Sequence, residues 1–144
     1  MSDQPPGYDP DNIFAKILRG EMPCHEVYQD AHTLAFLDIM PRTDGHTLVI
    51  PKAPARTLLD ASPEAISHAM ATAQKIARAA KIAFAADGIL LQQSSESAAG
   101  QVVFHLHFHI MPRFDGVDLR PPGQKADDKT LADHAQRLRE ALES

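Results

Sequence analysis

Apolar positions along the chain fall into short runs and one long helical stripe, and these predict its elements. Residues 1–11 contain Pro5, Pro6, Gly7 and Pro10 and read as a flexible, exposed arm. Ile13, Phe14, Ile17 and Leu18 then recur at helical spacing. Asp11 or Asn12 can cap this helix, Arg19 suits its C-terminal dipole and Gly20 stops it. Pro23 forces an extended path. Three strands are predicted over Glu26–Gln29, Thr33–Asp38 and His46–Ile50, with Pro51 closing the last. Their short connections favour antiparallel neighbours. Ser62-Pro63-Glu64 is a helix start, followed by Ile66, Met70, Ala73, Ala77, Ala80 and Phe84 on one face. Asp87-Gly88 ends that helix. Ile89–Gln92 and Val102–Met111 are the fourth and fifth strands, the fifth ended by Pro112. Lys129–Leu142 is a polar helix with Leu131, Ala135, Leu138 and Leu142 on one side. The pattern is that of a single α+β domain over residues 1–144, with an antiparallel five-stranded sheet, a core over 12–115 and a tail over 116–144.

Composition narrows the function classes. The 144 residues carry 14 basic and 19 acidic side chains, a formal charge of −5, which argues against neutralising a nucleic-acid polymer. A lone cysteine, Cys24, cannot form an internal disulfide, so a reducing, cytoplasmic setting is expected. No apolar run approaches bilayer length, so no membrane partner is expected. Met1–Pro10 has neither a basic region nor an apolar stretch, so no signal peptide is expected. The unusual count is eight histidines.

Three of them stand in His105-Leu106-His107-Phe108-His109-Ile110-Met111. In a strand, alternation places Leu106, Phe108 and Ile110 on one face and the three imidazoles on the other. The apolar set explains itself as core. The imidazoles admit three readings: a solvated face, a metal site, or imidazole catalysis. At ~3.3 Å per residue His105 and His109 stand about 13 Å apart, too far for one ion to hold all three readily. Histidine, whose ordinary pKa lies near neutrality, can serve as a neutral nucleophile towards phosphate or as an anion donor. A fourth histidine lies in Gly45-His46-Thr47-Leu48-Val49-Ile50-Pro51-Lys52.

The run His105–Met111 resembles the motif of the histidine triad (HIT) family. Ile13-Phe14-Ala15-Lys16-Ile17, Leu34-Ala35-Phe36-Leu37-Asp38-Ile39 and Gly45–Lys52 resemble the family's N-terminal half in the same order. The likeness covers roughly residues 12 to 115 and is greatest to histidine triad nucleotide-binding proteins and diadenosine polyphosphate hydrolases. It implies a HIT-like sheet with a long helix packed on it and a short N-terminal helix. It also implies a nucleotidyl hydrolase or transferase cleaving at the α-phosphate of a nucleoside 5′-phosphate derivative, either a dinucleoside polyphosphate or a phosphoramidate. His107 would form a covalent nucleotidyl intermediate, its other ring nitrogen donating to the His105 carbonyl. His109 would face the phosphate or leaving group, with His46 and the His105 ring in support. Asp38 would accept from the ribose hydroxyls. Ile13, Phe14, Ile17, Ile39 and Leu48 would hold the base, although periodicity alone reads the first three as core. Ser94 and Gln101 would touch phosphate; Gln101 could equally cap a loop.

The resemblance requires no cofactor and no protein-bound metal; a divalent cation could accompany a polyphosphate substrate. It implies a homodimer through the long helix and the fourth strand. The chain departs from the family at Val102, where many relatives carry Ser or Thr. Asn12 and Ala15 stand where some relatives bind zinc through two cysteines. His25, His32, His68 and His134 read as surface residues and Cys24 as inert. Two alternatives to hydrolysis are a nucleotide-binding regulatory module with vestigial catalysis, and a zinc protein using His105 and His107.

Overall fold

The computed structural model describes residues 5–144. Helix α1 (Ile13–Leu18) starts at Asn12, whose side chain accepts from the Ala15 amide, and ends beyond Arg19, where Gly20 adopts a φ of +79°. Strands β1 (Glu26–Gln29) and β2 (Thr33–Leu37) form a hairpin. The Asp30 carboxylate closes it by accepting from the His32 and Thr33 amides, and these bonds bring its pKa down to about 2. Strand β3 (Thr47–Pro51) pairs antiparallel with β2 along its length. Helix α2 (Pro63–Ala83) is capped by Ser62 with proline at its first turn. Strand β4 (Gly88–Gln92) and strand β5 (Phe108–Arg113) pair antiparallel, and helix α3 (Asp128–Glu143) closes the chain from its Asp127 cap. The sheet order is β1-β2-β3-β5-β4, a five-stranded antiparallel sheet in an α+β fold.

The sheet separates two apolar clusters. Ala35, Leu37, Val49, Leu106, Phe108 and Ile110 pack with Ala69, Ala73, Ile76 and Ala80 of α2 and Leu131, Ala135 and Leu138 of α3. Alternating residues of β2 and β3, Leu34, Phe36, Leu48 and Ile50, pack on Phe14 of α1. Alanine at the α2 positions lets that helix lie close to the sheet. Gly45, at φ +84°, admits Phe84 at the end of α2; a Cβ there would lie 2.5 Å from the ring.

Four sequence expectations need correction. The fifth strand starts at Phe108, not Val102, and runs through Pro112. Continuing the β3–β5 register would set Leu106 against Pro51, which has no amide to donate and whose carbonyl is taken by the His105 ring. At the other end β3 pairs no further than Ile110, so β5 tolerates Pro112 with a neighbour on one side only. The arm is exposed at Pro6, Gly7, Asp9, Pro10 and Asp11 as expected, but it is docked: Tyr8 is half-buried, Arg56 binds the Gly7 carbonyl and Arg19 the Pro10 carbonyl; residues 1–4 lie outside the described residues. His134 is buried edge-on to Phe84 rather than at the surface. Gln101 is buried with its amide spent on the Glu96 amide and the Arg56 and Val103 carbonyls, so it fastens its loop, as the second of its two readings has it, and does not offer that amide to phosphate.

Candidate active site

The imidazoles gather on the α1 side of the sheet. His109 stands opposite Leu48 in the β3–β5 register and therefore shares its face. His107 is the last residue before β5, with its ring 5.0 Å from both the His109 and the Phe14 rings. His46 immediately precedes β3 and is buried. His105, completely buried, turns its ring inward.

Hydrogen-bond partners fix each ring's protons. The His107 Nδ1–H donates to the His105 carbonyl at 2.7 Å, because a carbonyl can only accept. Burial pushes the His107 pKa down, so the ring is neutral and Nε2 carries a lone pair. That Nε2 has no partner among the described residues, and none of their buried polar side-chain atoms is unsatisfied, so it opens to solvent. His46 accepts the Arg42 amide at Nδ1, 3.0 Å, and so keeps its proton on Nε2. That proton goes to His109 Nδ1 at 2.9 Å. His109 is thereby left with a free Nε2–H. Burial and neighbouring positive groups bring His109 down to about 4 and His46 to about 3. The array thus sets a bare nitrogen beside an N–H donor, both on neutral rings, which is a nucleophile next to an anion-stabilising group.

The Asp38 carboxylate sits at the edge of this array. Oδ1 accepts the Met40 amide at 2.9 Å, and Oδ2 lies 3.6 Å from His46 Nε2. Burial pushes its pKa up. Asp38, His46 and His109 present ligand atoms within 4.8 Å of one another and could hold a metal ion, at the expense of the His46–His109 hydrogen bond. The His105 ring is spent on the Pro51 carbonyl and the Tyr8 hydroxyl, so a zinc site on His105 and His107 does not fit.

Phe14 and Leu48 are core, as periodicity suggests, yet the Phe14 ring also meets His107 edge-on. Ile17 packs on the same cluster. Ile13 and Ile39 are exposed. Ser94 is half-buried in the loop after β4, whereas Val102 points into solvent at 84% exposure. Sequence reasoning missed Tyr8 and the main-chain groups of Arg42 and Pro51. A lone aromatic in a Pro/Gly-rich arm was the one signal available for Tyr8.

Comparison with known proteins agrees with this constellation. The HIT domain family matches residues 19–116. A crystal structure of a Hit-like protein involved in cell-cycle regulation from Bartonella henselae, with an unknown ligand, has a TM-score of 0.89 at 47% identity and covers 94% of this chain and 99% of its own. Adenosine 5′-monophosphoramidase HNT1 of Saccharomyces cerevisiae is 34% identical over 91% of this chain and 82% of its own. Adenylylsulfatase HINT3 of Arabidopsis thaliana is 40% identical over 72% of this chain and 52% of its own. Among the described residues no helix is long and apolar enough to cross a membrane. A domain match over most of the chain, on a fold that assembles the triad in this geometry, shows that the chain belongs to the HIT family.

Proposed function

We propose that the protein is a nucleotidyl hydrolase acting at the α-phosphate of a nucleoside 5′-phosphate derivative. One observation carries the reading: His107 Nδ1–H is held by the His105 carbonyl, which leaves a neutral, open Nε2 beside the His109 donor. Nε2 attacks the α-phosphorus, forming a P–N bond as the bond to the leaving group breaks. The His109 Nε2–H donates a hydrogen bond to the departing amine or oxygen, which takes its proton from solvent, and phosphoryl charge is met by imidazole and main-chain N–H groups. Water then attacks phosphorus and gives up its proton to solvent, and the P–N bond breaks to return neutral His107. These steps use only the chain and its substrate, so no cofactor is required.

The names of the yeast and Arabidopsis relatives make adenosine phosphoramidate and adenylylsulfate the first substrates to test, with dinucleoside polyphosphates next. In this reading Asp38 Oδ2 would accept a ribose hydroxyl, the exposed Ile13 and Ile39 would meet the base, and the Ser94 hydroxyl would meet phosphate. A homodimer would form through α2 and edge strand β4, where Ile82 and Leu91 are exposed. A second reading, a nucleotide-binding module with vestigial catalysis, is favoured by Val102, which puts an exposed methyl pair where a hydroxyl would aid the leaving group. The test is turnover of that panel by chelator-treated wild type and His107→Ala. Turnover lost in the variant with nucleotide binding retained supports the hydrolase; binding without wild-type turnover supports the module.

A further inference from the structure

The first triad histidine needs a donor that neither the sheet nor the triad supplies. The His105 Nε2–H donates to the Pro51 carbonyl at 2.8 Å, which fixes its proton there. Burial brings the ring's pKa down to about 4, so it is neutral and Nδ1 is a bare lone pair inside the protein. A buried acceptor without a donor is costly. The donor comes from the arm: the Tyr8 hydroxyl lies 2.6 Å from Nδ1, with its ring edge-on to the imidazole at 5.6 Å. Burial pushes the Tyr8 phenol pKa up, which keeps it a donor at neutral pH.

The arm is held there by further contacts. Arg56 Nη1 donates to the Gly7 carbonyl at 2.9 Å, and its guanidinium is clamped by Glu96 and lies over the Phe104 ring, next to His105. Asn12 caps α1 four residues beyond Tyr8, so the arm enters the helix in a defined direction.

We infer that Tyr8 is a positioning residue, whose hydroxyl satisfies Nδ1 of the Nε2–H tautomer set by Pro51, pins the His105 ring in place and thereby holds the His105 carbonyl against His107 Nδ1–H. The ring and the carbonyl share one Cα, so a buried ring displaced from between Tyr8 and Pro51 shifts that stretch of backbone and, with it, the carbonyl. His107 would then lose the partner that keeps its proton off Nε2. The effect on rate rests on the proposed role of His107; the effect on the tautomers does not.

Nitrogen NMR of the imidazoles in the full chain without substrate, with nucleoside phosphoramidate turnover alongside, tests this on Tyr8→Phe and Tyr8→Leu. Tyr8→Phe should move His105 Nδ1 to the shift of an unbonded imine nitrogen and make His107 a mixture of tautomers. It should cut kcat about tenfold or more with KM within about twofold, and Tyr8→Leu should do the same. Unchanged His105 and His107 signals in Tyr8→Phe would overturn the inference. So would a normal kcat in Tyr8→Phe beside a low one in Tyr8→Leu, since the arm's packing would then matter and its hydroxyl would not. If the wild type turns over no nucleotide derivative, the hydrolase reading falls, and the nitrogen signals alone decide the role of Tyr8.

Discussion

Strands β2, β3 and β5 are shared by two regions of different character. On the α2 side, Leu37, Val49, Phe108 and Ile110 bury plain hydrocarbon against alanines. On the α1 side, residues one position along the same strands pack Phe36 and Leu48 beside His109, and the chain adds His46, His105 and His107 around them. The first region is held by area removed from water, the second by its smaller apolar cluster together with a chain of hydrogen bonds among the imidazoles and main chain. One face stabilises the fold and the other keeps four rings neutral and oriented. A substitution should therefore hurt either stability or chemistry, according to the face it touches.

The sharpest break is His107→Ala. It should lower turnover by about a thousandfold or more while leaving the urea midpoint near that of wild type, because the ring is half-open to solvent. Ile110→Ala, two strand positions past Phe108 on the other face, should do the reverse. It should cost about 2–5 kcal/mol in denaturant unfolding and leave kcat per folded molecule near wild type. A large kcat loss there would mean that the two faces are not separable.

Acid acts on the histidine-bearing face. His46, His105 and His109 have pKa values depressed by burial to about 3, about 4 and about 4. The unfolded chain, with imidazoles near 6.5, binds more protons below that pH, so stability is fully present above it and falls as pH drops towards the folded values. The slope should approach about 1.4 kcal/mol per pH unit for each imidazole, read from urea midpoints between pH 7 and pH 4.5. As the proposed nucleophile, His107 follows the same sign: its pKa, pushed down by burial, should move the acid limb of turnover below that of an ordinary imidazole.

Smaller effects sharpen the chemical face. Asp38→Asn should weaken ribonucleotides relative to deoxyribonucleotides by about 1 kcal/mol, measured as a ratio of kcat/KM values; equal losses would remove the ribose assignment. Val102→Ser, at an exposed site, should change stability by less than about 0.5 kcal/mol and raise phosphoramidate turnover if a hydroxyl there reaches the leaving group.

The apolar face was almost wholly legible in the sequence, because period-2 and period-3.6 patterns report burial directly. Leu106, Phe108 and Ile110 ended where their spacing put them, whereas the buried face of α2 is turned from the expected stripe: Ala69, Thr72, Ile76 and Ala79 join Ala73 and Ala80, and Ile66, Met70 and Ala77 are only partly buried. The chemical face was legible only in its residue types. Which nitrogen carries a proton depends on Arg42, Pro51 and Tyr8, and the Tyr8–His105 contact joins residues 97 apart in the chain. The early end of the β3–β5 ladder came from one proline carbonyl taken by an imidazole, which no local pattern reports. His134 departs from its expected surface position for the same reason, since Phe84 lies across the fold, whereas Gln101 bonds Glu96 and Val103 in its own loop, in line with the loop-cap alternative.

Stereochemistry at phosphorus tests the two-step reaction on His107 most directly. An in-line displacement inverts the phosphorus centre, so attack by His107 followed by attack by water restores it. A nucleoside 5′-phosphorothioate derivative of defined configuration, hydrolysed in oxygen-labelled water, should give product with net retention. Net inversion would mean that water attacks directly, and His107 would then not be the nucleophile.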